Sequence, residues 1–288
     1  VKGFLEATTP PDGVVKISGR RDHDLSFSVT KDGYHDARAF YYTTRDFYLG
    51  PFFSTKPLPS CWKSVRLQLK EIRNPIPMHV FATSSSGSDS ILSWRFPENK
   101  PDGPVGFDFF ERDLVAPHGK GLVADVMLSR EAAPEKDSGS YLVMYFPNPM
   151  DGIAGPFDDM FHSNFISDHE APIQGYNSGQ KFENTIRLNF LSEQARSKGS
   201  DKHPIEGMRW HALRLRSKAD PEGKIVSCHY GKVIGYPDVR VMIVKPFVSI
   251  MGNLCYYINP TENSRNLEWD TKTNLFSGVD ILNVPKAP

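Results

Sequence analysis

The 23 prolines and 22 glycines of this 288-residue chain are spread along its length and cut it into short segments, which leaves little room for helical periodicity. What survives between the breakers alternates with period two. Strand patterns fall at 24–30, 39–43, 64–71, 78–83, 90–96, 121–130, 140–146, 182–191, 210–216, 224–230, 239–244, 253–259 and 278–284. One short helix is expected at 191–198, with Ser192 as its cap. Short strands separated by turn chemistry predict an all-β fold, a sandwich or barrel.

The sharpest local pattern spans 210–238. After Trp210-His211, Leu213 and Leu215 alternate with Arg214 and Arg216, the Asp220-Pro221-Glu222-Gly223 cluster breaks the run, and alternation resumes over 225–230. Two alternating runs around a turn cluster predict a β-hairpin. The polar, turn-rich stretch 97–104 either divides an N-terminal β module (1–100) from a main body (105–288) or is a long loop within one structure, and a single structure over 1–288 is expected.

The 34 basic residues balance 34 acidic ones, which argues against a nucleic-acid binder. No stretch reaches the roughly 20 apolar residues of a membrane-spanning helix. The chain starts at Val1, which leads to the expectation of a trimmed, exported protein, secreted or periplasmic. Cys61, Cys228 and Cys255 form no CxxC pair. Cys228 and Cys255 lie in expected strands, as buried thiols or as a disulfide if those strands are neighbours.

The stretch 147–180 has no convincing periodicity, and a loop of that length in a compact domain is usually functional or disordered. Phe157, Phe161, Phe165, Ile166, Ile173 and Tyr176 give it apolar anchors. Its polar groups include Asp151, Asp158, Asp159, His162, Asp168, His169 and Glu170. Asp158, Asp159 and Asp168 offer the oxygens a calcium ion takes, or are solvated loop carboxylates, with no cofactor at all. His162 and His169 are candidate general bases, or interfacial histidines donating to carbonyls.

Alternation across 182–191 puts Phe182, Asn184, Ile186, Leu188 and Phe190 on one face and Glu183, Thr185, Arg187 and Asn189 on the other. That polar face is either a solvated sheet surface or a site for sugar hydroxyls and uronate carboxylates, which arginine grips bidentately. The aromatic cluster of Tyr34, Phe40, Tyr41, Tyr42, Phe47 and Tyr48 reads as core or as a platform for sugar rings.

The hairpin form at 210–232, the paired runs 121–130 and 139–146, and the closing run 278–284 resemble concanavalin A-like (laminin G-like) jelly-roll sandwiches over about residues 105–284. The resemblance implies an antiparallel jelly-roll with an N-terminal β extension, and a polysaccharide or other glycan as partner. In jelly-roll polysaccharide lyases, arginine or asparagine neutralises a uronate while histidine or tyrosine moves the proton. Carried onto this chain, the catalytic set is Arg187, Asn189, His162, His169, Tyr176 and Tyr256, with Glu183, Trp210, Arg214 and Tyr230 binding substrate. The chain lacks the Q-I-H and Y-x-K-x-G-x-Y patterns of several lyase families. The alternatives are a non-catalytic laminin G-like binding or adhesion module, and a catalyst enclosing an apolar small molecule between β layers. No G-x-S-x-G elbow, P-loop or G-x-G-x-x-G is present.

Overall fold

A computed structural model of the chain describes residues 7–10, 14, 25–41, 69–81, 92–97, 104–132, 140–159, 165–177, 186–187, 208–244 and 247–277. Among these residues there is no helix. The strands are β1 (Leu25–Val29), β2 (Tyr34–His35), β3 (Ala37–Tyr41), β4 (Lys70–Glu71), β5 (Ile76–Phe81), β6 (Leu92–Pro97), β7 (Val105–Asp108) and β8 (Asp113–Leu114). They continue with β9 (Val126–Ala132), β10 (Ser140–Tyr145), β11 (Gly152–Asp159), β12 (Ile186–Arg187), β13 (Met208–Ala219), β14 (Ile225–Val244), β15 (Phe247–Ile258) and β16 (Trp269–Asn274).

Two larger sheets dominate. One has the order β12-β10-β9-β7-β8; the other runs β11-β13-β14-β15-β5-β16, with β6 also on β15. Two small ribbons, β1-β3 and β2-β4, complete the set. All pairings between named strands are antiparallel except β5 with β16. The fold is therefore all-β and mostly antiparallel.

The expected hairpin is β13–β14, and its turn explains why the chain reverses there. Gly223 adopts φ 82, in the left-handed region that side chains rarely enter, and donates its N–H to the Asp220 carbonyl at 3.0 Å. Asp220 Oδ1 accepts the Lys224 N–H at 2.8 Å, and Pro221 presets the first bend. The runs at 224–230 and 239–244, expected as separate strands, belong to one 20-residue strand with a register shift between Ile234 and Asp238. A strand can absorb such an irregularity without ending, so Gly235 and Pro237 do not break it. The stretch 147–180 is not one long loop: it carries β11, paired to β13. The expected helix at 191–198 and closing strand at 278–284 lie outside the described residues.

The larger sheet is buried on both faces. Leu213, Leu215, Val233, Tyr256 and Ile258 join Val105, Phe107, Phe109, Val126 and Leu128 of the other sheet in one core. Ala212, Trp210, Cys228 and Tyr230 turn the opposite way and are covered by Ile166, Ala171 and Leu267. Tyr257 packs with Met78, Val80 and Trp269 on that same side. Cys228 and Cys255 are free thiols, so the pairing considered from their strand positions does not form.

Arg216 ties the two sheets together. It sits at φ 55 beside a bulge in β13, which directs its guanidinium to Asp108 (2.6 Å) and Asp125 (2.9 Å) on the other sheet. Its own N–H and that of Ser217 donate to the buried Asp151 carboxylate, both at 2.8 Å. Burial works to raise the Asp108 carboxyl, but the N–H groups of Val123, Glu111 and Leu122 and the charge of Arg216 hold it below its ordinary range.

Candidate functional site

On the covered face of the larger sheet lies a half-open cleft of about 540 Å³. Three strips of chain build it. Arg73 and Asn74 follow β4; Asp168, His169 and Glu170 come from the covering segment; Asn266 and Glu268 precede β16. The last two strips lie side by side through Leu267 N–H to His169 O (2.9 Å) and Ala171 N–H to Arg265 O (2.8 Å). Asn266 Nδ2 donates to Asn74 O at 2.6 Å, tying in the first strip.

Glu268 is the hinge of this arrangement. It is 0% exposed, yet its carboxylate is fully satisfied. Oε1 accepts from His35 Nε2 (2.7 Å) and Arg73 N–H (3.0 Å), and Oε2 accepts from Asn74 N–H (2.7 Å). Burial acts to raise the Glu268 carboxyl, but the Asn74 and Arg73 N–H groups and His35 outweigh it and hold it low. A buried carboxylate accepting backbone N–H bonds in this way fixes the conformation of the segment that offers them.

Beneath the cleft, Phe165 is enclosed by nitrogen-bearing side chains. Its ring lies 4.9 Å from both His35 and His169, and the Lys232 ammonium sits 4.4 Å from its centre. Lys232 is 0% exposed; its Nζ donates to Ser167 Oγ at 3.1 Å and also lies over the Tyr257 ring. Lys70 Nζ donates to the carbonyls of Phe165 (3.0 Å) and Ser167 (3.1 Å). Cations over ring faces and on carbonyls are attracted to both, so these contacts pin the covering segment down.

Burial lowers the His35 pKa, with Lys232 and His169 adding to the fall, against the opposing pull of Glu268. A neutral base charges less readily when folded than when unfolded. The stability it contributes is therefore complete above its unfolded pKa near 6.5 and is lost as pH falls below that value. His79, lowered by burial beside His229 and Arg216, acts in the same direction. Thermal unfolding from about pH 7.5 down to about pH 5.5 is expected to show a falling midpoint, and the fall should be smaller in His35→Gln. An identical pH slope in the two proteins would remove His35 from this account.

His169 has a defined tautomer. Its Nε2 lies 2.8 Å from the Glu71 carbonyl, which only accepts, so Nε2 carries the hydrogen and neutral His169 keeps its lone pair on Nδ1. The cleft also offers the exposed Arg73 guanidinium, loosely paired with Glu71 at 3.7 Å, and the exposed Asp168. Glu170 is engaged by Arg265.

A second group on the same face joins Arg214, Tyr176 and Tyr230. The Arg214 guanidinium lies 4.4 Å from the centre of the Tyr176 ring and its Nε donates to Met150 O at 2.8 Å. The two tyrosine rings are 6.2 Å apart. Burial raises both phenols, Tyr230 to about 12, so they stay protonated near neutrality and can donate but not abstract a proton.

The residues expected from the sequence are thus distributed over several places. His169 and Asp168 meet in the cleft; Tyr176, Tyr230 and Arg214 meet beside it. Tyr256 is 0% exposed and donates its hydroxyl to Phe109 O at 2.9 Å inside the core, where no substrate reaches it. Trp210, 3% exposed, packs on Phe157 and is a core residue instead of a sugar platform. Asp158 and Asp159 stand in β11, ladder-paired with Arg209 and Met208, where a loop was expected. Among the described residues no three His, Cys, Asp or Glu groups gather in a metal-binding arrangement. Arg187 lies in β12, at the edge of the other sheet, opposite Tyr141. His162, Glu183 and Asn189 lie outside the described residues.

Arg73, His35, Glu268 and Lys232 were missed. For Lys232 a signal existed: it continues the inward positions Cys228 and Tyr230 of β14, where a lysine is out of place. Glu268 and His35 carried none, since their partnership spans 233 positions of sequence. No family model matches the chain, and no curated protein or solved structure is found to be similar to it. No helix among the described residues is long and apolar enough to cross a membrane.

Proposed function

We propose that this chain is a glycan-active β-sandwich of jelly-roll type that cleaves a uronate-containing polysaccharide by β-elimination, with the cleft as its site. The observation that supports this reading best is the set of His169 with Nδ1 as its basic nitrogen, the Arg73 guanidinium and Asn74 on a wall fixed by Glu268. Arg73 neutralises the uronate carboxylate, which makes the adjacent carbon acid. His169 Nδ1 takes the proton from that carbon, its electron pair becomes the new carbon–carbon double bond, and the bond to the leaving glycosidic oxygen breaks. The imidazolium returns the proton to that oxygen. Polymers of this kind are met outside the cell, so the proposal includes export.

The test is incubation with a panel of acidic polysaccharides while following the ultraviolet absorbance of the unsaturated product. His169→Gln is expected to lower the rate by about a hundredfold or more, the usual contribution of a general base. Absence of product with every polymer sinks the lyase reading. Binding without turnover would then favour a non-catalytic laminin G-like module. That second reading draws on Glu268, whose oxygens are saturated by internal donors and so cannot serve as an acid. The polar lining and open mouth of the cleft fit poorly with an enclosed apolar substrate.

A further inference from the structure

We propose that the cleft selects a polymer in which each uronate is followed by a sugar without negative charge, and that Asp168 enforces the choice. The inference rests on reading the cleft as a uronate site. It follows from where each polar side chain of the cleft is already engaged. Glu268 is saturated by His35 and the N–H groups of Arg73 and Asn74. Glu170 is taken by Arg265. The Asn266 amide donates to Asn74 O, and its oxygen accepts the Glu268 N–H at 3.0 Å. His169 Nε2 is held by Glu71 O at 2.8 Å. The Arg73 guanidinium, the Asn74 amide, His169 Nδ1 and the Asp168 carboxylate are left to meet a ligand. Asp168 is exposed, and its carboxylate has no hydrogen-bond or ion-pair partner among the described residues.

Charge makes these groups unequal. Arg73 is the one arginine or lysine lining the cleft, and it is only loosely paired with Glu71 at 3.7 Å. Lys70 and Lys232 lie nearby but hold the underside of the covering segment, on the Phe165 and Ser167 carbonyls and on Ser167 Oγ. Arg265 is turned to Glu170 and to Ala171 O, the latter at 2.9 Å. A single uronate is therefore matched, because its carboxylate meets Arg73. A second carboxylate on the next ring finds no cation and meets Asp168 and Glu170 instead. Like charges brought together repel, and an unpaired charge is how a site rejects a near relative of its ligand.

Asp168 also favours what it admits. A carboxylate only accepts, so it takes the hydroxyl or amide N–H groups of a neutral ring, and an ammonium better still. A uronate alternating with a hexosamine presents such donors on every second ring. The volume of about 540 Å³ lies in the range that encloses a drug-sized ligand, which is the size of a disaccharide. The substrate class is thus the alternating uronate–hexosamine polymers, not the homopolyuronates.

The experiment follows ultraviolet product formation, with binding by calorimetry, on the full chain. Hyaluronan and sulfate-free chondroitin are compared with polygalacturonate and alginate at matched uronate concentration. Wild type is expected to prefer the alternating pair by about tenfold or more. Asp168→Asn keeps the shape and removes the charge, so it should raise homopolyuronate binding about fivefold or more in low salt and narrow the preference. That gain should shrink in high salt, where exposed charges are screened. The preference is a ratio of two polymers on one protein, so a smaller folded fraction cancels from it. Should Asp168→Asn fail to fold, Asp168→Ser removes the same charge and should narrow the ratio alike. A wild type that handles homopolyuronates as well as the alternating polymers, or a preference untouched by both variants, overturns the selection by Asp168 and spares the cleft. Neither product nor binding with any polymer by folded wild type overturns the cleft reading, and this one with it.

Discussion

Alanine at position 216 is expected to cost about 3–5 kcal/mol of stability in denaturant unfolding, because it strands two buried carboxylates without their cation. Asp108 and Asp125 are essentially buried, and both face the guanidinium at hydrogen-bonding distance. In thermal unfolding the same change should lower the midpoint by roughly 10 °C for a chain of this size. The loss has a pH signature. As pH falls through the carboxyl range the stranded aspartates protonate and no longer need a partner, so the gap from wild type should narrow. A fixed gap at all pH values, or one under about 1 kcal/mol, would mean that water replaces the arginine.

Phe165→Ala is the second large effect, about 3–5 kcal/mol for a fully buried aromatic ring. The consequence goes beyond a cavity. The ring separates His35 from His169 and carries the Lys232 ammonium on its face, so its removal loosens the segment that roofs the sheet. Amide exchange at 165–171 should quicken more than exchange in β13 or β14. Phe165→Leu keeps apolar volume and should retain most of the stability. If the leucine and alanine variants lose equally, the ring's packing volume is not what holds the roof.

The strands of this fold were legible where period two runs beside a strong breaker. The 210–230 hairpin is the clearest case, because the Pro221–Gly223 turn and the Leu213/Leu215 alternation agree. The pattern at 140–146 corresponds to β10 (Ser140–Tyr145), and that at 78–83 to β5, which starts two residues earlier at Ile76 and is described to Phe81. β11 went unseen because Gly155 and Pro156 look like breakers, whereas the strand tolerates them at an irregularity in its register. Trp210 and Tyr256 illustrate a different limit. Burial on both faces of the larger sheet leaves no outward side for an aromatic residue, and a sequence alone does not reveal that a second layer covers the first.

The cleft was only half legible. His169 and Asp168 stood out as polar residues in an unpatterned stretch. Their partners, Arg73 and Glu268, come from opposite ends of the chain and meet only through the pairing of β5 with β15 and β16. Local reasoning weighs neighbours in sequence, so a wall built from such distant pieces leaves no trace in it.

That distance has a consequence for biosynthesis. β5 and β6 both add to β15, and His35 finds its acceptor only at Glu268. As the chain leaves the ribosome, β5 and β6 have no partner strand until β15 has emerged in the last quarter of the sequence. Their unpaired edges are open to other chains for that whole interval, a window for aggregation that the stability of the finished sheet does not close.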